Sequence, residues 1–434
     1  MRIRPLLTIG LLAAPTALPA QLPSATARST AMLQSYTAAA RGYEAIVWNP
    51  ALLAMPGHPR FSLNIAQVAA DIHSNTLGPS DVLHYLNDTL DVAAKDKILT
   101  QIRAGSDSTL ALGATADAQA LGLTIGPFGI MATGAGDGYA ALSDDAVELA
   151  LYGNVTRRAP GQRYSATGTR GSGWAGASVA IGFGLPLRVV PVGHLAVGAT
   201  FRLTQMITAG IAGDAGSFLQ NAPNFSARAA GQALIFHPDS SATNNGFGVG
   251  LDLGLAYDLA SGIRLGLAVE NVFSTISWKE KNLVYYRQDY ILEQVGDQFT
   301  DSTVADINMP YDPTDPNQLA LHDSLVGAQT FPTRVRAGVL LSAGPFLIAG
   351  DAMVQLKRGL VPGDAQRLSA GAELPLGGFC ALRAGLSSNF AGSFSYGGGF
   401  GFKMGPVRLD LGASATPGGS RQGMQVAFGL SVMN

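Results

Sequence analysis

Residues 424–432 read Met-Gln-Val-Ala-Phe-Gly-Leu-Ser-Val, "MQVAFGLSV". Met424, Val426, Phe428, Leu430 and Val432 occupy one set of alternate positions. Gln425, Ala427, Gly429 and Ser431 occupy the other. Successive side chains of a strand point to opposite faces, so a period of two with one apolar face marks an amphipathic β-strand. What its two faces meet decides the fold.

The same period recurs along the chain. Ala177, Val179, Ile181, Phe183 and Leu185 alternate with Ser178, Ala180, Gly182 and Gly184. The pattern returns at 247–257, 335–341, 368–374, 380–386, 394–404 and 407–413. The quoted alternating stretches span 7–11 residues and the strands that hold them are expected to run about 9–13, whereas a usual globular strand has roughly 5–6. A tilted strand needs ~9–11 residues to cross a bilayer. One face is almost purely apolar, and the other is rich in Gly, Ala and Ser. That second face also carries Arg202, Asp252, Arg264, Glu270, Arg336, Asp351, Glu373, Arg383, Lys403, Arg408 and Asp410. An apolar outside and a polar, small-residue inside is the layout of a membrane barrel. The charged residues are expected to face its lumen, either pairing to rigidify the interior or lining a solute path. Their signs are mixed, so no strong ion selectivity follows. The small residues point to something packed closely against the wall.

Composition agrees with a single β unit. Charged residues are 13% of the chain, about half the usual ~25%. Glycine supplies 54 of 434 residues. A net charge of -2 gives no nucleic-acid signal. The single cysteine, Cys380, rules out an intrachain disulfide. Residues 1–20 have the form of a signal peptide: Arg2 and Arg4, then apolar Leu6 to Leu12, then a small-residue exit. Cleavage is expected after Ala20, or as late as Ala27. No stretch reaches 18 uninterrupted apolar residues, so strands rather than helices are expected to cross the membrane.

Short turns alternate with longer links, at 210–245, 277–332, 359–365, 389–392 and 416–422. Outer-membrane barrels place short turns on the periplasmic side and longer loops outside. Ten strands are expected from Trp174 onward, with further candidates at 60–69, 119–126, 127–134 and 145–155. The expected total is about 14, within 12–16. Trp174 and Trp278 are expected in an aromatic girdle. Residues 79–104 have helical spacing, with Ser80 as N-cap. They are expected to form a helix pair inside the barrel, at its mouth or on the membrane surface.

Catalytic signals are sparse. The six histidines stand in no paired-ligand spacing, and no G-x-S-x-G occurs. Gly134, Gly136 and Gly138 lack dinucleotide-loop spacing and are expected to form a turn between strands. Asp312 and Asp315 could offer oxygen ligands to calcium, but a solvated acidic loop is the simpler reading. No enzyme activity, metal or cofactor is expected.

Residues 40–53, "ARGYEAIVWNPALL", follow the export signal. Asn49-Pro50 breaks the stretch, because the residue before proline is pushed out of helical geometry. Trp48 and Asn49 can offer hydrogen bonds to a charged wall. The stretch is either a lumenal plug or a lead-in to the first strand. Its Arg41, Gly42, Ala45, Trp48, Asn49, Pro50, Ala51 and Leu52 resemble the N-terminal pattern of FadL/TodX-type outer-membrane barrels. They equally resemble PorV-type barrels of type IX secretion. Val269-Glu270-Asn271-Val272 and Arg383-Ala384-Gly385 look like further phrases of these barrels. The resemblance implies a 14-stranded barrel with its N-terminal segment folded inward. FadL-like members pass hydrophobic molecules through a plug rearrangement and a lateral opening. PorV-like members bind protein cargo.

The expected organisation is thus a signal peptide at 1–20, a plug at 28–58 and a barrel at 59–434. The expected partners are the outer-membrane bilayer and either a hydrophobic small molecule or an exported protein cargo.

Overall fold

The computed structural model describes residues 25–434 apart from 82–89, 106, 155–157, 160, 189–191, 222–224, 238–244, 260–261, 296–297, 327–330, 357–364, 391 and 420. The expected signal peptide and the first helix of the expected pair lie largely outside the described residues. One antiparallel sheet contains β1 (Phe61–Ser74), β2 (Thr109–Ile125), β3 (Phe128–Ser143), β4 (Arg163–Ser165), β5 (Arg170–Leu187), β6 (His194–Asp214), β7 (Phe218–Gln220), β8 (Ser226–Phe236), β9 (Gly246–Leu259) and β10 (Ile263–Trp278). It continues through β11 (Leu283–Val295), β12 (Gln298–Pro310), β13 (Arg334–Ala343), β14 (Phe346–Gln355), β15 (Gln366–Leu376), β16 (Cys380–Ser388), β17 (Phe394–Met404), β18 (Val407–Thr416) and β19 (Gln422–Met433).

Setting aside β4, β7, β8, β11 and β12, the other fourteen strands pair each with the next. β19 pairs back onto β1, with Leu63 opposite Val432 and Ala69 opposite Ala427, so the barrel closes. Closure leaves no barrel edge unpaired, the condition for crossing hydrocarbon with strands. Among the described residues, no helix is long and apolar enough to cross a membrane.

The alternation sorts the wall. On β19, Val426 is 53% exposed and Ala427 is 6% exposed. Ile181, Phe201, Leu255, Leu267, Ile348 and Phe400 are likewise exposed on the outer face. These residues present an apolar belt to lipid. The chain is a transmembrane antiparallel β-barrel.

Several expectations need correction. The strand expected at 145–155 is replaced by a helix, Asp144–Tyr152. Ser143 caps it by accepting a hydrogen bond from Ala146 N at 3.2 Å, and Asp144 and Asp145 occupy its first turn. A cap and two acids at a helix start favour helix over the weak alternation there. Eleven barrel strands, not ten, start at Arg170 or later, and three precede it. The candidates at 119–126 and 127–134 are only parts of β2 and β3. Much of the rest of those strands presents Ala (114, 116, 118) or Gly (136, 138) outward, and these carry little apolar signal.

The links 210–245 and 277–332 are not simple loops. β6 runs on to Asp214 and pairs with β8, which pairs with β11, which pairs with β12. The sheet therefore continues past the barrel rim at the long-loop end. The helix Pro316–Val326 packs Leu325 and Val326 among Trp174, Leu234, Phe236 and Tyr285. Trp174 and Trp278 accordingly form no lipid girdle. Trp174 is 4% exposed on the inner face, and Trp278 stacks on Phe236 with centroids 4.7 Å apart.

Of the expected helix pair, Val92–Ala104 is described; Asp91 caps it, accepting from Ala94 N at 2.7 Å. It packs Ile98, Leu99 and Ile102 against Val147 of the helix Asp144–Tyr152, at the long-loop end. Gly134, Gly136 and Gly138 form no turn between strands: all three lie within β3.

Asn271 sits at φ +50 where β10 slips register against β9. Asparagine tolerates this left-handed geometry better than most residues. Its N–H donates to Asp252 Oδ1 at 2.8 Å, and its side chain donates to Pro332 O at 3.1 Å.

Candidate functional site

The lumen is filled by the chain's own residues 25–55. A short helix, Ala27–Ala31, opens the segment, with Thr26 and Ser29 capping each other. Leu33 (φ 49) and Gln34 (φ 63) then turn the backbone. A 3-10 turn at Gly42–Glu44, the helix Ala45–Trp48 and a 3-10 turn at Pro50–Ala54 follow. Asn49 is the break between the last two. Its backbone is extended (φ -163, ψ 101), as proline imposes on its predecessor, and its Oδ1 accepts from Ala51 N at 3.2 Å. Pro50 starts the next turn, where a missing N–H costs nothing.

Glycines on the wall make the fit possible. A Cβ on Gly371 would lie 2.8 Å from Met32 Cβ, and one on Gly184 would lie 2.8 Å from Ala54 N. A Cβ on Gly198 would overlap Pro50, one on Gly254 would overlap Asn49, and one on Gly412 would overlap Ala27. The segment's backbone thus approaches closer than any side chain would permit.

The structure places the expected residues of the segment as follows. Arg41 is half-buried and has no hydrogen bond or ion pair among the described residues; Arg28 and Arg408 are near enough to act on its charge. Gly42 (φ +59) passes Ser62, where a Cβ would approach to 2.8 Å. Trp48 is 1% exposed; the Arg336 guanidinium sits over its ring at 4.4 Å, and Tyr36 meets it edge-on at 5.4 Å. Asn49 Nδ2 donates to Leu255 O on the wall (3.1 Å) and to Thr37 O (3.2 Å). Ala51 is fully buried.

Of the eleven charged wall residues, ten are buried or half-buried on the inner face, and Lys403 is exposed near the end of β17. Arg202 pairs with Asp252, and Arg336 with Glu270 at 2.6 Å. Arg264 pairs with Asp258 at 2.7 Å and donates to Pro56 O at 2.9 Å. Asp351 accepts from Thr37 N at 2.9 Å. Glu373 receives Arg383 Nε at 2.7 Å, and Arg383 also pairs with Asp410 at 2.6 Å. Arg408 is half-buried, and its Nε has no hydrogen-bond partner.

Residues that sequence reasoning missed carry the strongest wall contacts. Arg28 donates to both Glu373 oxygens, at 2.7 and 3.0 Å, and to Tyr36 Oη at 3.2 Å. Tyr36 donates to Glu44 at 2.5 Å. A continuous polar chain thus runs Asp410–Arg383–Glu373–Arg28–Tyr36–Glu44. The available signal was one arginine within the small-residue run "SATARSTA" at 24–31.

Fold and site together define a closed, fourteen-stranded membrane barrel whose lumen is filled by its own N-terminal segment. Residues 50–413 match a family described as of unknown function, DUF5723, and the chain belongs to that family. Comparison with curated proteins gives no match. Among solved structures, the chain is similar to the Ralstonia pickettii toluene transporter TbuX, at 13% identity and a TM-score of 0.48, covering 94% of this chain and 98% of that one. It is similar to the P. putida toluene transporter TodX at 11% identity and a TM-score of 0.44, covering 95% and 99%. It is also similar to a Pseudomonas aeruginosa FadL homologue at 9% identity and a TM-score of 0.49, covering 97% and 100%. Strand pairing, rather than these likenesses, carries the fold.

Proposed function

We propose that this protein is a FadL-like channel of the bacterial outer membrane for uptake of hydrophobic small molecules, with residues 28–58 as its plug. The short-turn end then faces the periplasm and the long-loop end the exterior. Export uses a signal peptide cut after Ala20. A cut after Ala27 would remove Thr26 and with it the cap of the first lumenal helix.

The observation that carries the reading is an asymmetry in how the lumen is closed. Toward the short-turn end, buried ion pairs of Arg28, Glu373, Arg383 and Asp410 lie across the path. An apolar solute would have to displace them. Sideways, the wall is weaker. The β1–β2 ladder is interrupted between Asn64 and Gln67, and β1–β19 and β2–β3 slip register at the same level. Inside this point Asn64 Oδ1, Gln67 Nε2 and both polar atoms of the Gln119 amide lack hydrogen-bond partners. Unmet buried polar groups of this kind cost about 1–3 kcal/mol each, which lowers the cost of local opening. Outside, a recess of about 1030 Å³ on the lipid face is floored by Ala70, Ala116, Ala118, Gly134 and Gly136 and rimmed by Val68, Val426 and Phe400. A hydrophobic solute leaving there enters the bilayer and never meets the charged layer.

The test is uptake of a hydrophobic fluorescent probe by cells with and without the gene. Faster uptake with the gene is expected. Equal uptake would sink the transport reading, and protein cargo co-purifying at the loops would put a secretion-accessory role in its place.

A further inference from the structure

Between the lumenal segment and the long-loop end lies a cavity of about 210 Å³. Ala25, Thr30, Leu33 and Gln34 form its floor, and the inner wall surrounds it. Asp71, Asp117 and Asp137 stand together on β1, β2 and β3 with His73 and Arg421 beside them, and Arg334 and Arg367 stand across the lumen on β13 and β15.

The three acids are not equivalent. Asp71 is already engaged, meeting His73 at 2.8 Å and Arg421 at 3.3 Å. Asp137 accepts from Thr115 Oγ1 at 3.2 Å. Asp117 is only 7% exposed, and its Oδ1 has no hydrogen-bond partner among the described residues. Its cross-strand neighbours are Ala69 and Ala135, which offer no donor. A buried carboxylate in that position needs a proton or a cation. Asp117 pairs opposite Ala135 and Asp137 opposite Thr115, so the two acids are diagonal neighbours on adjacent strands. Such neighbours stand ~7–8 Å apart, which leaves room for one ammonium between the two carboxylates. Ala25, Leu33 and Met353 supply the apolar part of the lining.

We infer that this cavity binds a small organic ammonium: a compact apolar body whose N–H donors are received by Asp117, Asp137 and the Thr115 hydroxyl. The inference rests on the channel reading only for the route by which the solute arrives.

Calorimetric titration of the purified full-length protein tests it, with benzylamine, toluene and benzoate as probes of one shape and three charges. Benzylamine is expected to bind saturably and at least ten-fold more tightly than the other two. Asp117→Asn is expected to weaken benzylamine at least ten-fold and to leave the unfolding midpoint in place. Asp137→Asn carries the same expectation and serves if the first variant does not fold. The inference is overturned if benzylamine gives no saturable heat, if toluene binds as tightly, or if both variants keep wild-type affinity. Equal hydrophobic-probe uptake with and without the gene would overturn the channel reading and leave this binding result untouched.

Discussion

Glu373 is the residue on which the lumenal packing turns. Its two oxygens accept from Arg28 at 2.7 and 3.0 Å and from Arg383 at 2.7 Å. The geometry toward Arg28 is the two-pronged arrangement that makes arginine–carboxylate pairs strong. All three side chains are nearly excluded from solvent. Removing one member of a buried pair strands the other charges, at roughly 3–5 kcal/mol. Glu373→Gln is therefore expected to lower barrel stability by about that much and to release the lumenal segment to protease. An unchanged denaturation midpoint with an intact segment would refute the role given to this contact. Gly254 tests the seat from the wall side, since a Cβ there overlaps Asn49 Oδ1. Gly254→Val is expected to push residues 49–51 off the wall and raise single-channel conductance in planar bilayers. A conductance equal to wild type would mean that the segment tolerates the intrusion.

At the scale of elements, the outward sheet of β8, β11 and β12 stands apart from the barrel in its electrostatics. Asp289 on β11 is fully buried and receives Arg228 Nε at 2.8 Å and Nη2 at 2.5 Å. The hydrogen bond and charge of Arg228, aided by Arg287, hold the Asp289 carboxyl below its ordinary value. A carboxyl with a depressed native pKa stabilises fully above its unfolded value of ~3.9 and loses that contribution as pH falls through the native value. The outward sheet is thus expected to loosen in acid below the ordinary aspartate range while the barrel persists. Hydrogen exchange at 283–310 measures this, and Arg228→Gln is expected to flatten its pH dependence. Protection that is constant down to pH 2 would contradict the assignment.

At the scale of the whole molecule, the barrel stands in lipid by its outer face and closes by its inner one. Val426 lies midway along β19, between Ala70 of β1 and Ala413 of β18, and is 53% exposed. Val426→Arg places a charge in hydrocarbon and is expected to cost ~2–4 kcal/mol in reversible unfolding from lipid vesicles. Gln425→Lys, one residue away on the inner face, is expected to change stability little. Equal costs at the two positions would overturn the facing assigned to β19.

The amino-acid sequence by itself determined the period-two strands from 170 onward, their apolar outer faces and the charged inner wall. Each of these is a local pattern, readable within ten residues. Alternation failed in the middle of β2 and β3, where Ala114, Ala116 and Ala118 and then Gly134, Gly136 and Gly138 take the outward positions and leave little apolar contrast. It failed at 283–310 because an outward sheet between two barrel strands looks locally like a long link. The stretch 40–53 was legible as a turn-broken apolar segment, and its resemblance to known barrels pointed inward. Only the tertiary structure decided that Arg28, Thr37 and Tyr36 fasten it. Arg28 and Glu373 lie 345 residues apart. No local signature marks two side chains as partners when only the closing of the barrel brings them to one place.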